Sequence, residues 1–168
     1  MRFDCPLFRS IVLALSFSML CLVAPTWADY EAGINAFQRA DYATALREWQ
    51  PLAEQGHAGA QYYLGLLYDF QKGVPQDFST ARKWYEKAAA QGHAGAQNNL
   101  GGLYEFGHGV TRNNVLAYMW YSIAAANPAD DEWRDLAAEN CEEIAGIMTS
   151  AEIAEAKKLA RNWKPKGN

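Results

Sequence analysis

The sequence predicts an all-α protein, an α-solenoid of four antiparallel helix pairs, and three observations carry that reading. Asp41 to Gln76 is repeated at Asp77 to Arg112, a period of 36 residues. The copies share Gly-His-Ala-Gly-Ala-Gln (Gly56 to Gln61, Gly92 to Gln97), Leu64-Gly65 with Leu100-Gly101, Leu67-Tyr68 with Leu103-Tyr104, and Gly73-Val74 with Gly109-Val110. A period of this length marks a stacked helical repeat, in which each helix pair is too small to bury its own apolar face and is stable only against its neighbours. Polar N-cap formers also stand in one phase: Asp41, Asp77 and Asn113 each precede a helical stretch, where a side-chain oxygen can accept from the first orphan backbone N–H groups. Finally, no apolar alternation of strand type competes anywhere in the chain.

From the amino end, Arg2 and Arg9 supply a basic start, Ile11 to Ala24 is almost wholly apolar, and Thr26-Trp27-Ala28 places small residues at the −3 and −1 positions of a cut. This pattern predicts a secretory signal peptide over 1–28. The competing reading is a retained anchor, but the apolar run falls short of the ~20 residues a spanning helix needs. Leu20 stands just before Cys21 where a lipoprotein cut would require a small residue, which argues against lipidation. The domain then covers 29–163, and 164–168 is expected to be a disordered tail. Its helix pairs are Tyr30 to Arg39 with Ala43 to Gln55, Ala58 to Gln71 with Ser79 to Gln91, Ala94 to Phe106 with Val115 to Ala126, and Asp130 to Met148 with Ser150 to Trp163. Gly56 and Gly92 end the second helix of their pairs, and Gly73-Val74-Pro75 and Gly107-His108-Gly109 stop the first. Small residues at Ala60, Gly65, Ala81, Ala96, Gly101 and Ala117 permit close approach of helix axes, and Trp49, Tyr68, Tyr85, Tyr104 and Tyr121 fill the space between layers. The last pair leaves the repeat pattern. Its Thr149-Ser150 with Glu152 predicts an N-cap, and Glu152, Glu155, Lys157, Lys158 and Arg161 give it the polar outer face that a terminal unit requires.

These residues carry a family resemblance. Ala60, Leu64-Gly65, Tyr68, Gly73-Val74, Asp77, Ala81, Trp84-Tyr85, Ala88-Ala89 and Gly92 resemble the Sel-one-like repeat (SLR), a tetratricopeptide-like solenoid module. Ala96, Leu100-Gly101, Tyr104, Gly107-His108-Gly109-Val110, Asn113, Ala117, Trp120-Tyr121 and Ala124-Ala125 form a second such unit. Ahead of both, Gly33, Phe37, Asp41-Tyr42, Ala45, Trp49 and Ala53 are similar to an ordinary tetratricopeptide unit with a shorter turn. The resemblance implies one tetratricopeptide-like unit, two SLR units and a C-terminal capping pair. It also implies an adaptor or binding scaffold of the exported bacterial type. In the cysteine-rich branch of that family, disulfides staple the helix pairs. Here loss of 1–28 removes Cys5 and Cys21 and leaves Cys141 alone, so no internal bridge is expected.

Net charge is −4, and −5 once Arg2, Arg9 and Asp4 leave with the signal. Mild acidity without a basic stripe argues against nucleic acid and anionic membrane partners. His57 and His93 recur in register, which separates them by two helix layers, far beyond the ~2 Å reach of a metal ligand; they read as helix-start residues, and His108 as a solvated one. Ser79, Ser122 and Ser150 lie in no Gly-x-Ser-x-Gly or Ser-x-x-Lys setting, and Cys141 reads as an inert thiol inside a helix. No phosphate-binding loop appears, and no cofactor is expected. At Tyr118-Met119 two apolar residues replace the Arg82-Lys83 of the previous repeat. Cover by the C-terminal helices is one reading and a partner-binding patch is the other.

The remaining surface is the groove lined by the first helix of each pair. Positions at i, i+4 and i+7 that stand clear of the packing set select Tyr62, Leu66 and Asp69 from one unit and Asn98, Gly102 and Glu105 from the next, with Tyr30 and Ile34 extending the line. Their mixed chemistry suits a peptide segment or protein loop. The function expected is therefore a non-enzymatic, periplasmic or secreted scaffold for a protein or peptide partner of the cell envelope. A cell-wall or β-lactam-related ligand-binding protein or hydrolase, as the cysteine-rich branch implies, is the alternative. The exported protein is expected to begin at Asp29 and to show that intact mass when extracted from the envelope. A mass that retains 1–28 would establish an anchor instead.

Overall fold

A computed structural model describes residues 27–128 and 131–165; most of the expected signal peptide 1–28 and residues 166–168 of the expected tail lie outside them. Eight helices follow one another: α1 (Trp27–Gln38), α2 (Tyr42–Glu54), α3 (Ala58–Asp69), α4 (Phe78–Ala90), α5 (Ala94–Phe106), α6 (Asn114–Ala125), α7 (Asp131–Ala145) and α8 (Ser150–Asn162). Among the described residues there is no strand, and no helix is long and apolar enough to cross a membrane. Asp41 accepts from Thr44 N at 3.2 Å, Asp77 from Ser79 N at 2.9 Å and Thr80 N at 3.1 Å, and Asn113 from Leu116 N at 3.0 Å. The three caps expected in phase are thus formed in phase.

The repeated Gly-His-Ala-Gly-Ala-Gln is a turn with three separable jobs. Gly56 and Gly92 take φ of +99° and +90°, a left-handed conformation that lets the chain reverse directly after α2 and α4. His57 and His93 then cap the next helix, their Nδ1 atoms accepting from Ala60 N at 3.1 Å and Ala96 N at 3.3 Å. Gln61 and Gln97 close the turn by donating from Nε2 to Ala53 O at 2.9 Å and Ala89 O at 3.2 Å, carbonyls at the ends of α2 and α4 that also accept from Gly56 N and Gly92 N. The register of the two histidines therefore reflects capping.

Packing within each pair puts an aromatic ring on a glycine. A Cβ built on Gly65 would fall inside the ring of Tyr85, one on Gly101 inside Tyr121, and one on Gly33 inside the Trp49 indole. Ala45, Ala81 and Ala117, wholly buried, hold the equivalent place on the second helices. Three clusters run along the stack. Trp49, Leu52, Leu64 and Leu67 form the first, with Tyr63 stacked on Trp49 at 4.4 Å. The second gathers Tyr62, Tyr85, Leu100 and Leu103, and the third Tyr118, Tyr121, Ile144 and Ala156.

The carboxyl end departs from the repeat in a way that explains its sequence. Both α7 and α8 pack against α6, so α8 lies chiefly on α6 rather than on α7. Tyr118 and Met119 are each only 8 % exposed, and Tyr118 clusters with Ile144 of α7 and Ala156 of α8, so the terminal helices cover it. The long helix ends at Ala145, short of the expected Met148, and the chain turns over Gly146 to Met148 before a capping box in which Thr149 and Glu152 satisfy each other's backbone N–H groups. Likewise α3 stops at Asp69, because Lys72 N bonds to Leu67 O at 2.9 Å and Gln71 takes φ of +54° where the next repeat has Gly107.

Gly65→Leu or Gly101→Leu should destabilise the domain by ~1 to 3 kcal/mol, the usual cost of overpacking, whereas exposed Lys83→Leu should stay within ~0.5 kcal/mol. Urea midpoints measure this, and equal shifts in all three variants would defeat the ring-on-glycine packing.

Candidate functional site

The first helices and the second helices are tied by a repeated tyrosine–carboxylate pair. The Tyr85 hydroxyl, anchored by its buried ring on α4, donates to Asp69 Oδ2 on α3 at 3.0 Å and accepts from Asn99 Nδ2 on α5 at 3.1 Å. One repeat later the Tyr121 hydroxyl on α6 donates to Glu105 Oε2 on α5 at 2.7 Å. Burial pushes the Asp69 carboxyl above the usual carboxylate range, with the Tyr85 hydrogen bond and nearby His108 opposing. Burial first, then the adjoining carboxylate, raises the phenols of Tyr85 and Tyr121. Neither phenol is therefore poised to act as a base near neutral pH.

Around these pairs the structure forms a recess of about 480 Å3. Asp69 of α3, Asn98, Asn99, Gly102 and Glu105 of α5, and Asn140 and Glu143 of α7 line it, with Phe70 and Phe106 at its edge. Four of the expected groove residues, Asp69, Asn98, Gly102 and Glu105, thus meet in one place. The other four do not join them. Tyr30 packs its ring 4.5 Å from His57, Ile34 rests on the first core cluster, and Leu66 on the second. Tyr62 is 7 % exposed, stacked on His93 at 4.5 Å and edge-on to Trp133 at 6.0 Å. The expectation that Tyr62 and Asn98 stand clear of packing is corrected, and α7 is the reason. It brings Trp133 against Tyr62 and Asn140 Nδ2 to Asn98 Oδ1 at 2.9 Å.

Sequence reasoning missed two exposed members. Phe70 is 57 % and Phe106 64 % exposed, at equivalent places one residue beyond Asp69 and Glu105. Their recurrence at the repeat period was the available signal. His108, read as solvated, is exposed but lies flat on Phe78 at 4.4 Å. For Asn140 and Glu143 there was none, since α7 lies outside the repeat.

The Sel1 repeat pattern matches residues 58–93 and 94–128, which are the α3–α4 and α5–α6 pairs with their turns. The chain carries two Sel1 repeats. Among solved structures, c5321, a protective antigen present in uropathogenic Escherichia coli strains displaying an SLR fold, is 29 % identical with a TM-score of 0.73 over 80 % of this chain. A Sel1 repeat protein from Oxalobacter formigenes is 30 % identical with a TM-score of 0.63 over 78 %. The chain spans 28 % of the length of the first and 54 % of the second. No curated protein sequence matches it. Sel1-repeat solenoids are in general non-catalytic, and the fold suggests a protein–protein interaction scaffold.

Cys141 is half-buried, its thiol 3.5 Å from Ser122 Oγ and raised in pKa chiefly by burial, so the reactive thiolate is disfavoured. No group of three or more His, Cys, Asp or Glu residues able to hold a metal occurs among the described residues.

A raised Asp69 pKa means that the folded protein holds this proton more tightly than the unfolded chain does. Its contribution to stability is full below the ordinary value of 3.8 and is lost as pH rises through the raised one. Asp69→Asn keeps an acceptor for Tyr85 and removes the titration. Its urea midpoint relative to the parent should therefore rise as pH climbs from about 4 through the raised value. A constant difference would show that Asp69 is not held in this environment.

Proposed function

We propose that this chain is an exported, non-catalytic scaffold that seats a protein or peptide segment of the cell envelope in the recess along its first helices. The observation that supports it best is the repeated layout of that recess. Each Sel1 repeat presents a carboxylate fixed by a buried tyrosine and, one residue on, an exposed phenylalanine. An occupant that offers backbone N–H or cationic side chains to Asp69, Glu105 and Glu143, and an apolar side chain to Phe70 and Phe106, would use both features at once. Fixed acceptors lose little freedom on binding, which favours affinity from a small recess. Export rests on the amino-terminal pattern of a basic start, apolar core and small-residue cut. A protective antigen among the similar structures is compatible with that setting.

Panning a displayed peptide library against the purified protein tests the reading. Selected peptides should combine Lys or Arg with an aromatic or aliphatic residue. Phe70→Ala combined with Phe106→Ala should lower their affinity about tenfold or more, the scale of aromatic hot spots. Ser79→Ala with Lys83→Ala, exposed on α4, should leave both affinity and the thermal melt unchanged. Loss of binding in the α4 pair with full binding in the phenylalanine pair would place the partner on the outer face and sink the proposal.

A further inference from the structure

The two repeats differ at one buried hydrogen bond. In the first, both ends of the Gln61 carboxamide are used: Nε2 donates to Ala53 O at 2.9 Å, and Oε1 accepts from Gln91 Nε2 at 2.8 Å. In the second, Gln97 Nε2 makes the equivalent bond to Ala89 O, but the counterpart of Gln91 is Asn127, one methylene shorter. Asn127 Nδ2 turns instead to Gly92 O at 2.8 Å. Gln97 Oε1 is left buried without a hydrogen-bond partner, on a side chain only 1 % exposed. A buried acceptor in that state calls for a donor.

Gln97 lines a cavity of about 690 Å3 between the carboxyl ends of α6 and α8, which shares no lining residue with the recess described above. Ile123 and Trp163 supply apolar wall, and Trp163 is held edge-on by Trp120 at 5.9 Å. Lys157, Arg161 and Lys164 stand exposed around it, and among the described residues no carboxylate lines it, although the chain as a whole carries a net charge of −4. The size falls within the ~300 to 1,000 Å3 of small-molecule sites, as does the combination of apolar wall and few polar groups.

We propose that this cavity is a second binding site, for a carboxylate whose apolar, ring-sized body ends in a hydrogen-bond donor. The carboxylate meets Lys157, Arg161 and Lys164, the ring lies between Ile123 and Trp163, and the distal hydroxyl donates to Gln97 Oε1. A 4-hydroxyphenyl group on a carboxylate has this chemistry, whether as a free aromatic acid or as the tyrosine that ends a peptide. The site is independent of the groove and of any partner bound there.

Titration calorimetry on the whole protein with N-acetyl-tyrosine tests the assignment. N-acetyl-tyrosinamide, which lacks the charge, and N-acetyl-phenylalanine, which lacks the donor, should each bind about tenfold or more weakly. Lys157→Ala with Arg161→Ala, both on the exposed face of α8, should weaken N-acetyl-tyrosine to a similar extent, and Ala160→Trp should block it by filling the cavity. A short peptide ending in tyrosine, compared with its amide, separates the sources. Tighter binding of the peptide acid assigns a protein terminus, and tighter binding of N-acetyl-tyrosine assigns a free acid. No binding at millimolar concentration, equal binding of acid and amide, or unchanged binding in both α8 variants would overturn the proposal. The ligand comparisons use the unmodified protein, so they hold even if a variant fails to fold.

Discussion

Everything in this structure depends on how closely a tyrosine or tryptophan ring can approach a helix backbone. The ring of Tyr85 occupies the space a side chain at Gly65 would need, and Tyr121 does the same at Gly101. Such a contact sets the distance between the two helices of a pair and leaves no slack for a methyl group. Because dense packing is bistable rather than elastic, the same contact also fixes rotation. Fully buried Ala81 and Ala117 then let the neighbouring layer close over the ring.

The same tyrosines carry that precision to the surface. A ring locked in the core places its hydroxyl without rotational freedom, and that hydroxyl holds Asp69 in one repeat and Glu105 in the next. Stability and the candidate site are therefore coupled through a single side chain per repeat. The coupling has a cost, visible in the raised pKa of Asp69: a carboxyl kept in place near the core is partly stripped of water. Scaffolds that bind by rigid presentation need such fixed groups, since flexible acceptors would lose entropy on each encounter.

At the carboxyl end the constraint changes from repetition to termination. A solenoid must stop without leaving an apolar face, and here α7 and α8 both close on α6 and cover Tyr118, which stands where the preceding repeat carries Arg82. That arrangement has two by-products. Trp133 and Asn140 of α7 roof the first helices and turn an open groove into a recess, while the carboxyl end of α8 leaves a basic-edged cavity beside Gln97. Neither follows from the repeat itself.

The sequence alone determined what depends on local chemistry. Glycine, alanine and capping residues at a 36-residue period dictate helix, turn and helix wherever they recur, so the pairs, the three polar caps and the roles of Gly65 and Gly101 were legible in the residues. Asn98, Gly102 and Glu105 share one face of α5 and Asp69 stands one period before Glu105, so their place along the first helices was legible for the same reason. The tertiary structure alone decided what depends on non-repeating neighbours. Tyr62 occupies an open helical phase in sequence, yet it is buried because Trp133 and His93 meet over it. Asn140 and Glu143 enter the site on a helix with no counterpart in the repeats, and Gln97 loses a partner through one methylene on Asn127. A period encodes contacts between equivalent positions. Contacts at the end of the stack, where equivalence stops, are set by the path of the last two helices.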